Sequence, residues 1–141
     1  MILSFKEQFK PKILAGVKDH TIRIDKPNRW KKYMPIHAAT GVRTKNYNCF
    51  FKSICKSTQS IKINWYRHPE HKVHNSVFRV SIDGESFGAA VFNPGHENNP
   101  IITGRLEELA RRDGFENVTD FCNWFSEDFT GKIIHWTDKK Y

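Results

Sequence analysis

Gly16, Lys18, Thr21 and Arg23 bring a turn residue, an ammonium, a hydroxyl and a guanidinium close together in the chain. The run His20-Thr21-Ile22-Arg23-Ile24 alternates β-branched with polar side chains, which is a strand signal. On a strand, Thr21 and Arg23 point to one face while Ile22 and Ile24 point to the other. Isoleucines turned to the core therefore send Thr21 and Arg23 toward a polar cavity or solvent, and Lys18 can lean over the same place from the preceding turn. That trio suits an anion or the polar edge of a base, because cationic donors make short, strong hydrogen bonds to such acceptors. Spacing by itself is met more simply by an exposed strand face carrying ordinary charges.

Two further stretches invite chemistry. Arg29-Trp30-Lys31-Lys32-Tyr33 and Arg43-Thr44-Lys45-Asn46-Tyr47 interleave cations with rings. Single-stranded nucleic acid suits that mixture, bases stacking on rings such as Trp30 and phosphates meeting Arg43 and Lys45. Trp30 and Tyr33 fit the rim of a core with snorkelling lysines equally well. His68, His71 and His74 recur at intervals of three, but Pro69 and the polar setting favour a loop, and no second cluster completes a tetrahedral set. Neither a metal nor a cofactor is expected, and no GxxxxGK[ST] loop is present.

The elements that must hold these residues read as follows. Ile2 to Phe5 forms a short opening strand. Phe5, Phe9, Ile13 and Leu14 then recur at helical spacing toward a stop at Gly16, with Pro11 requiring either a helix that begins near it or a separate first turn. Asp25-Lys26-Pro27-Asn28 ends the next strand. Ile36-His37-Ala38 is a strand, and Phe50 to Trp65 holds one long bent strand or two. Val77–Ile82 and Ser86–Phe92 flank Asp83-Gly84 as a hairpin. After Asn93-Pro94-Gly95 a polar loop leads to a helix through Leu106, Leu109 and Ala110 that Gly114 stops. A second helix through Val118, Phe121, Cys122 and Phe125 is capped by Asn117 or Thr119, and Lys132 to Trp136 closes the chain as a strand. This order does not alternate as a doubly wound α/β sheet would. It predicts an α+β fold, a curved, mostly antiparallel sheet or pseudo-barrel flanked by helices.

Three landmarks resemble the ASCH branch of the PUA-like superfamily. Gly16, Lys18, Thr21 and Arg23 match its G-x-K-x-x-T-x-R pattern. Asp113-Gly114-Phe115, followed by Phe121, matches its acid-Gly-Phe turn and aromatic helix, and the Lys132-to-Trp136 strand matches its close. The resemblance implies one PUA-like domain over residues 1–141 that recognises RNA or a modified nucleoside in a basic cleft. Some similar small proteins are amidohydrolases acting on acylated cytidine such as N4-acetylcytidine. For those, the resemblance assigns Thr21 as nucleophile, Lys18 as the group taking its proton and Asp113 as the acid-base or orienting carboxylate. A glutamate is usual where Asp113 stands, so this chain's carboxylate is one methylene shorter. Gly16, Arg23, Trp30, Arg43 and Lys45 complete the expected ligand contacts.

Composition sets the outer limits. The 141 residues suit a single domain with a core of its own. Lys and Arg exceed Asp and Glu by 23 to 15, a net charge of +8 that favours polyanionic partners, nucleic acid first. Cys49, Cys55 and Cys122 form neither a CxxC pair nor an even set, so reduced thiols in a cytosolic protein are expected. The amino-terminal segment reaches Lys6 too soon for a signal peptide, and no apolar run approaches about 18 residues. A cytoplasmic chain with no membrane segment follows as the expectation.

Overall fold

A computed structural model of the chain describes residues 1–67 and 75–141, so the histidine triplet at 68, 71 and 74 lies outside the described residues. The class is α+β, with mostly antiparallel strands in two sheets and few helices. No helix among the described residues is long and apolar enough to cross a membrane. The chain divides into two compact units, one of Met1–Gln59, Arg112–Gly114 and Lys132–Tyr141, the other of Ser60–Arg111 and Phe115–Gly131.

In the first unit, β1 (Ile2–Ser4) pairs in parallel with β3 (Pro35–Thr40), and β3 pairs antiparallel with β4 (Asn48–Ile54). The chain reaches its first helix through both devices that Pro11 allows. A 3-10 turn (Glu7–Phe9) comes first, and α1 (Lys10–Leu14) takes Pro11 in its opening turn, where a missing N–H costs nothing. Gly16 then turns the chain at φ +78°, and the N–H groups of Val17 and Lys18 both donate to the Lys12 carbonyl at 3.0 Å.

The strand β2 (His20–Arg23) follows and pairs antiparallel with β9 (Phe129–His135), His20 opposite His135 and Arg23 opposite Lys132. It departs from the simple alternation of a one-sided strand. Thr21 is buried as well as Ile22, while Ile24 lies past the strand end and is 62% exposed. The reason is the turn at Asp25, whose carboxylate accepts from the N–H groups of Arg29 and Trp30 at 2.9 Å and ends the ladder one residue early.

The second unit is a meander of β5 (Ser57–Arg67, mostly in this unit), β6 (Ser76–Ile82), β7 (Glu85–Phe92) and β8 (Ile101–Gly104), each antiparallel to the next. Asp83 and Gly84 both take positive φ, the two-residue hairpin geometry their dipeptide favours. Phenylalanines from sheet and helices fill the core. Phe78 of β6 meets Phe121 of α3 (Val118–Trp124) edge-on at 5.9 Å, and Phe121 packs in turn on Phe115 and Phe125. Asn117 caps α3 by accepting from the Asp120 N–H at 2.8 Å. Leu106 and Leu109 of α2 (Leu106–Arg112) are fully buried. The polar loop expected after Gly95 holds β8, which its four exposed residues did not announce.

Candidate functional site

The turn at Gly16 delivers Lys18 into the interior of the first unit, where it is 3% exposed. Its Nζ donates to the Asp113 carbonyl at 2.6 Å and to Asp113 Oδ1 at 2.8 Å. Asp113, also 3% exposed, is therefore an interior carboxylate, placed there by the end of α2 and by Gly114. Gly114 is required twice over. Its φ is +96°, and a Cβ there would stand 2.9 Å from Lys18 Cδ and 3.0 Å from Phe9 Cδ1. The Lys18 ammonium also lies over the rings of Phe9 and Phe5, at 5.1 and 5.7 Å.

Thr21 is 4% exposed, and its Oγ1 accepts from Arg23 Nε at 3.2 Å. The same guanidinium donates to the Ser4 carbonyl at 2.5 Å and lies 4.9 Å from the Phe5 ring centre. Lys18 and Arg23 thus share the Phe5 ring. Lys18 makes its hydrogen bonds to Asp113, and none reaches Thr21.

Burial pushes the Lys18 amine below its ordinary value, and Arg23 pushes the same way while Asp113 resists. For Asp113 burial pushes upward, but Lys18 and His20 outweigh it and hold the carboxyl below the usual range. The arrangement is a desolvated ion pair whose partners depend on each other.

Sequence reading passed over the polar residues set between the motif positions. Asp19 takes Arg112 Nε on both carboxylate oxygens, at 2.9 and 3.2 Å. His20 has Nδ1 3.4 Å from Asp113 Oδ1, an ion-pair distance rather than a well-formed hydrogen bond, and Nε2 2.8 Å from the Tyr141 hydroxyl. Gln59 holds Tyr141 by both ends of its amide, accepting from the Tyr141 N–H at 2.8 Å and donating to its carbonyl at 2.6 Å. His135 Nε2 reaches Gln59 Oε1 at 3.0 Å. The available signal was Asp19 and His20 themselves, two ionisable side chains set directly between Lys18 and Thr21. Lys132 was also missed as a positioning group. It stands opposite Arg23 and is tied down by Asp25 Oδ2 at 3.0 Å, the Trp30 carbonyl at 3.1 Å and Asn28 Oδ1.

Among the other expected ligand contacts, Arg43 lines a cleft of about 700 Å³ with Ile2, Ser4, Phe5, Gly41, Val42 and Tyr47. The loop is fixed by Thr44, whose N–H and hydroxyl both donate to the Gly41 carbonyl, at 3.0 and 2.7 Å. Lys45 is exposed on that loop and is not among the cleft's lining residues. Trp30 is 5% exposed, so its ring belongs to the core of the first unit rather than to an open stacking surface. Gly16 shapes the turn without a neighbour within 4 Å of its missing Cβ. Among the described residues no group of three histidine, cysteine or acidic side chains is placed to hold a metal ion. Comparison with family models, curated proteins and solved structures returns no match.

Proposed function

We propose that this chain is an ASCH-type recognition domain on a PUA-like pseudo-barrel, holding RNA or a modified nucleoside in the basic cleft of the first unit. One observation carries the reading. Arg23 links the buried Thr21 hydroxyl to Ser4 and Phe5, and Ser4 and Phe5 line the same cleft as Arg43 and Tyr47. A cleft with rings at Phe5 and Tyr47, and with Arg23 and Arg43 at or beside its wall, suits a base and its phosphate or polar edge. The buried Lys18–Asp113 pair anchors the turn that leads into β2. Calorimetric titration with N4-acetylcytidine and with short single-stranded RNA tests this. Binding should weaken by roughly tenfold, about 1.4 kcal/mol, in Arg43→Ala, as expected for loss of one charge-assisted contact. Binding of neither ligand by the unaltered chain refutes it.

A second reading, amide cleavage of an acylated nucleoside, is favoured by the burial of Lys18, Thr21 and Asp113 in one unit. The Thr21 oxygen would attack the acyl carbon while its proton passes to a neutral Lys18 amine. Lys18 would return that proton to the departing amine, and water would release the acyl group from Thr21. Burial and Arg23 lower the Lys18 affinity for its proton, as this requires. The hydrogen bonds of Lys18 to Asp113 instead of Thr21 weigh against it. Acetate release from N4-acetylcytidine, abolished in Thr21→Ala, would establish this reading; binding without release would exclude it.

A further inference from the structure

The register of the meander sorts its outward face into three cross-strand rows. Tyr66, Val77, Val91 and Ile101 form one; Asn64, Arg79, Ala89 and Thr103 the next; Lys62, Ser81 and Ser86 the third. The residues between them, Ile61, Ile63, Phe78, Val80, Ile82 and Ala90, are buried, which fixes the rows as the face the core does not use. No acid stands in any row. Lys62 and Arg79 are diagonal neighbours, and the Arg79 guanidinium has no hydrogen-bond or ion-pair partner among the described residues. Tyr66, 61% exposed, stands two residues along β5 from Asn64.

A concavity of about 620 Å³ lies over this face, lined by Asn64, Arg79, Ser81, Ser86, Phe87 and Thr103 among others. Glycines set the strand spacing beside it. A Cβ at Gly88 would stand 2.7 Å from the Thr103 carbonyl oxygen, and one at Gly104, whose φ is +65°, 2.3 Å from that of Phe87. The close approach of β7 to β8 therefore admits no side chain at either position.

We propose that this face is a docking surface for single-stranded nucleic acid, separate from the cleft of the first unit. Phosphodiesters meet Arg79 and Lys62, a base stacks on Tyr66, and Asn64 with the hydroxyls of Ser81, Ser86 and Thr103 meets base edges. Charge complementarity selects this occupant, since the rows offer cations, neutral hydrogen-bonding groups and a ring without an opposing carboxylate. Lys62, Asn64 and Tyr66 stand about 6.6 Å apart along the strand, a step on the scale of one nucleotide.

The test is fluorescence polarisation of an oligouridylate of about ten nucleotides on the full chain, at low and raised salt. Every protein carries Arg43→Ala, which weakens the other cleft by roughly tenfold. Binding should survive in that background and fall several-fold with Arg79→Ala, Lys62→Ala or Tyr66→Ala. The salt slope should become shallower by about 0.7 for each cation removed and stay unchanged for Tyr66→Ala. All three side chains lie on the outer face, so unchanged thermal melts confirm that the variants fold; Arg79→Gln replaces any that does not. No residual binding in the background, or binding indifferent to all three changes, overturns the proposal. Displacement by polyglutamate as effective as by unlabelled oligouridylate also overturns it, making an acidic polypeptide the occupant. Equal displacement by inorganic phosphate reduces the face to a simple anion site and overturns it too.

Discussion

Lys18 Nζ stands 2.8 Å from Asp113 Oδ1 across 95 positions of sequence, both side chains closed off from solvent. Removing one member strands the other charge in the interior. Asp113→Ala should therefore lower unfolding stability by about 3–5 kcal/mol, whereas a paired Lys18→Met, Asp113→Leu replacement should recover most of that loss. Urea unfolding of the three proteins measures both. A single change costing no more than a surface substitution, about 0.5 kcal/mol, would contradict the buried pair.

His20 makes stability sensitive to mild acid. Burial holds its imidazole below the ordinary 6.5, against the opposing pull of Asp113, with Lys18 adding to the depression and Asp19 resisting. The rings of His135 and Tyr141 stand edge-on to it at 5.4 and 5.5 Å. The unfolded chain takes up a proton near pH 6.5 while the native chain does not. Stability is therefore full above about 6.5 and falls as pH drops, by up to about 1.4 kcal/mol per unit. Asp113, also held low, adds a further loss below about pH 3.9. His20→Gln should flatten the first limb and leave a reduced second limb, since Lys18 still holds Asp113 low; identical stability curves for the two proteins would exclude this role.

The two site glycines should respond unequally to alanine. At Gly16 only the positive φ opposes a side chain, at a cost of about 1–2 kcal/mol. At Gly114 the same strain is joined by collisions with Lys18 and Phe9. Gly114→Ala should therefore be the more destabilising, and it should displace the Lys18 amine resonance. Equal midpoints in urea would mean that the turn relaxes away from Lys18.

The thiols should differ in reactivity. Cys122 is buried, and its thiol is pushed up to about 12 by that burial; Cys55 is buried and also raised. Cys49 is half-buried. Under native conditions a thiol reagent should modify Cys49 first, with the other two labelled only on unfolding. Mass spectrometry of the labelled peptides reads the order directly.

Much of the frame was legible because local chemistry dictated it. The Asp83-Gly84 hairpin, the Asn117 cap and the stop at Gly114 follow from backbone preferences that tertiary structure has no reason to override. That Arg23 would stand beside Thr21 was legible from their two-residue spacing on a strand. What escaped was set by distant chain. β2 is covered on both faces and ends before Ile24, so strand alternation misjudged Thr21 and Ile24. Spacing within a run could not reveal that Asp19 would meet Arg112, or His20 the Tyr141 hydroxyl, because those partners lie 93 and 121 residues away. Trp30 turned inward because Asp25 and Lys132 hold its backbone.

The central claim is that a nucleoside-like ligand occupies the cleft beside Arg23. Amide chemical-shift mapping of the isotope-labelled chain, titrated with N4-acetylcytidine, tests it most directly. The account predicts saturable shifts centred on Ser4, Phe5, Arg23, Arg43 and Tyr47, weakened in Arg43→Ala. Saturable shifts confined to other residues, or none at any concentration reached, would contradict it.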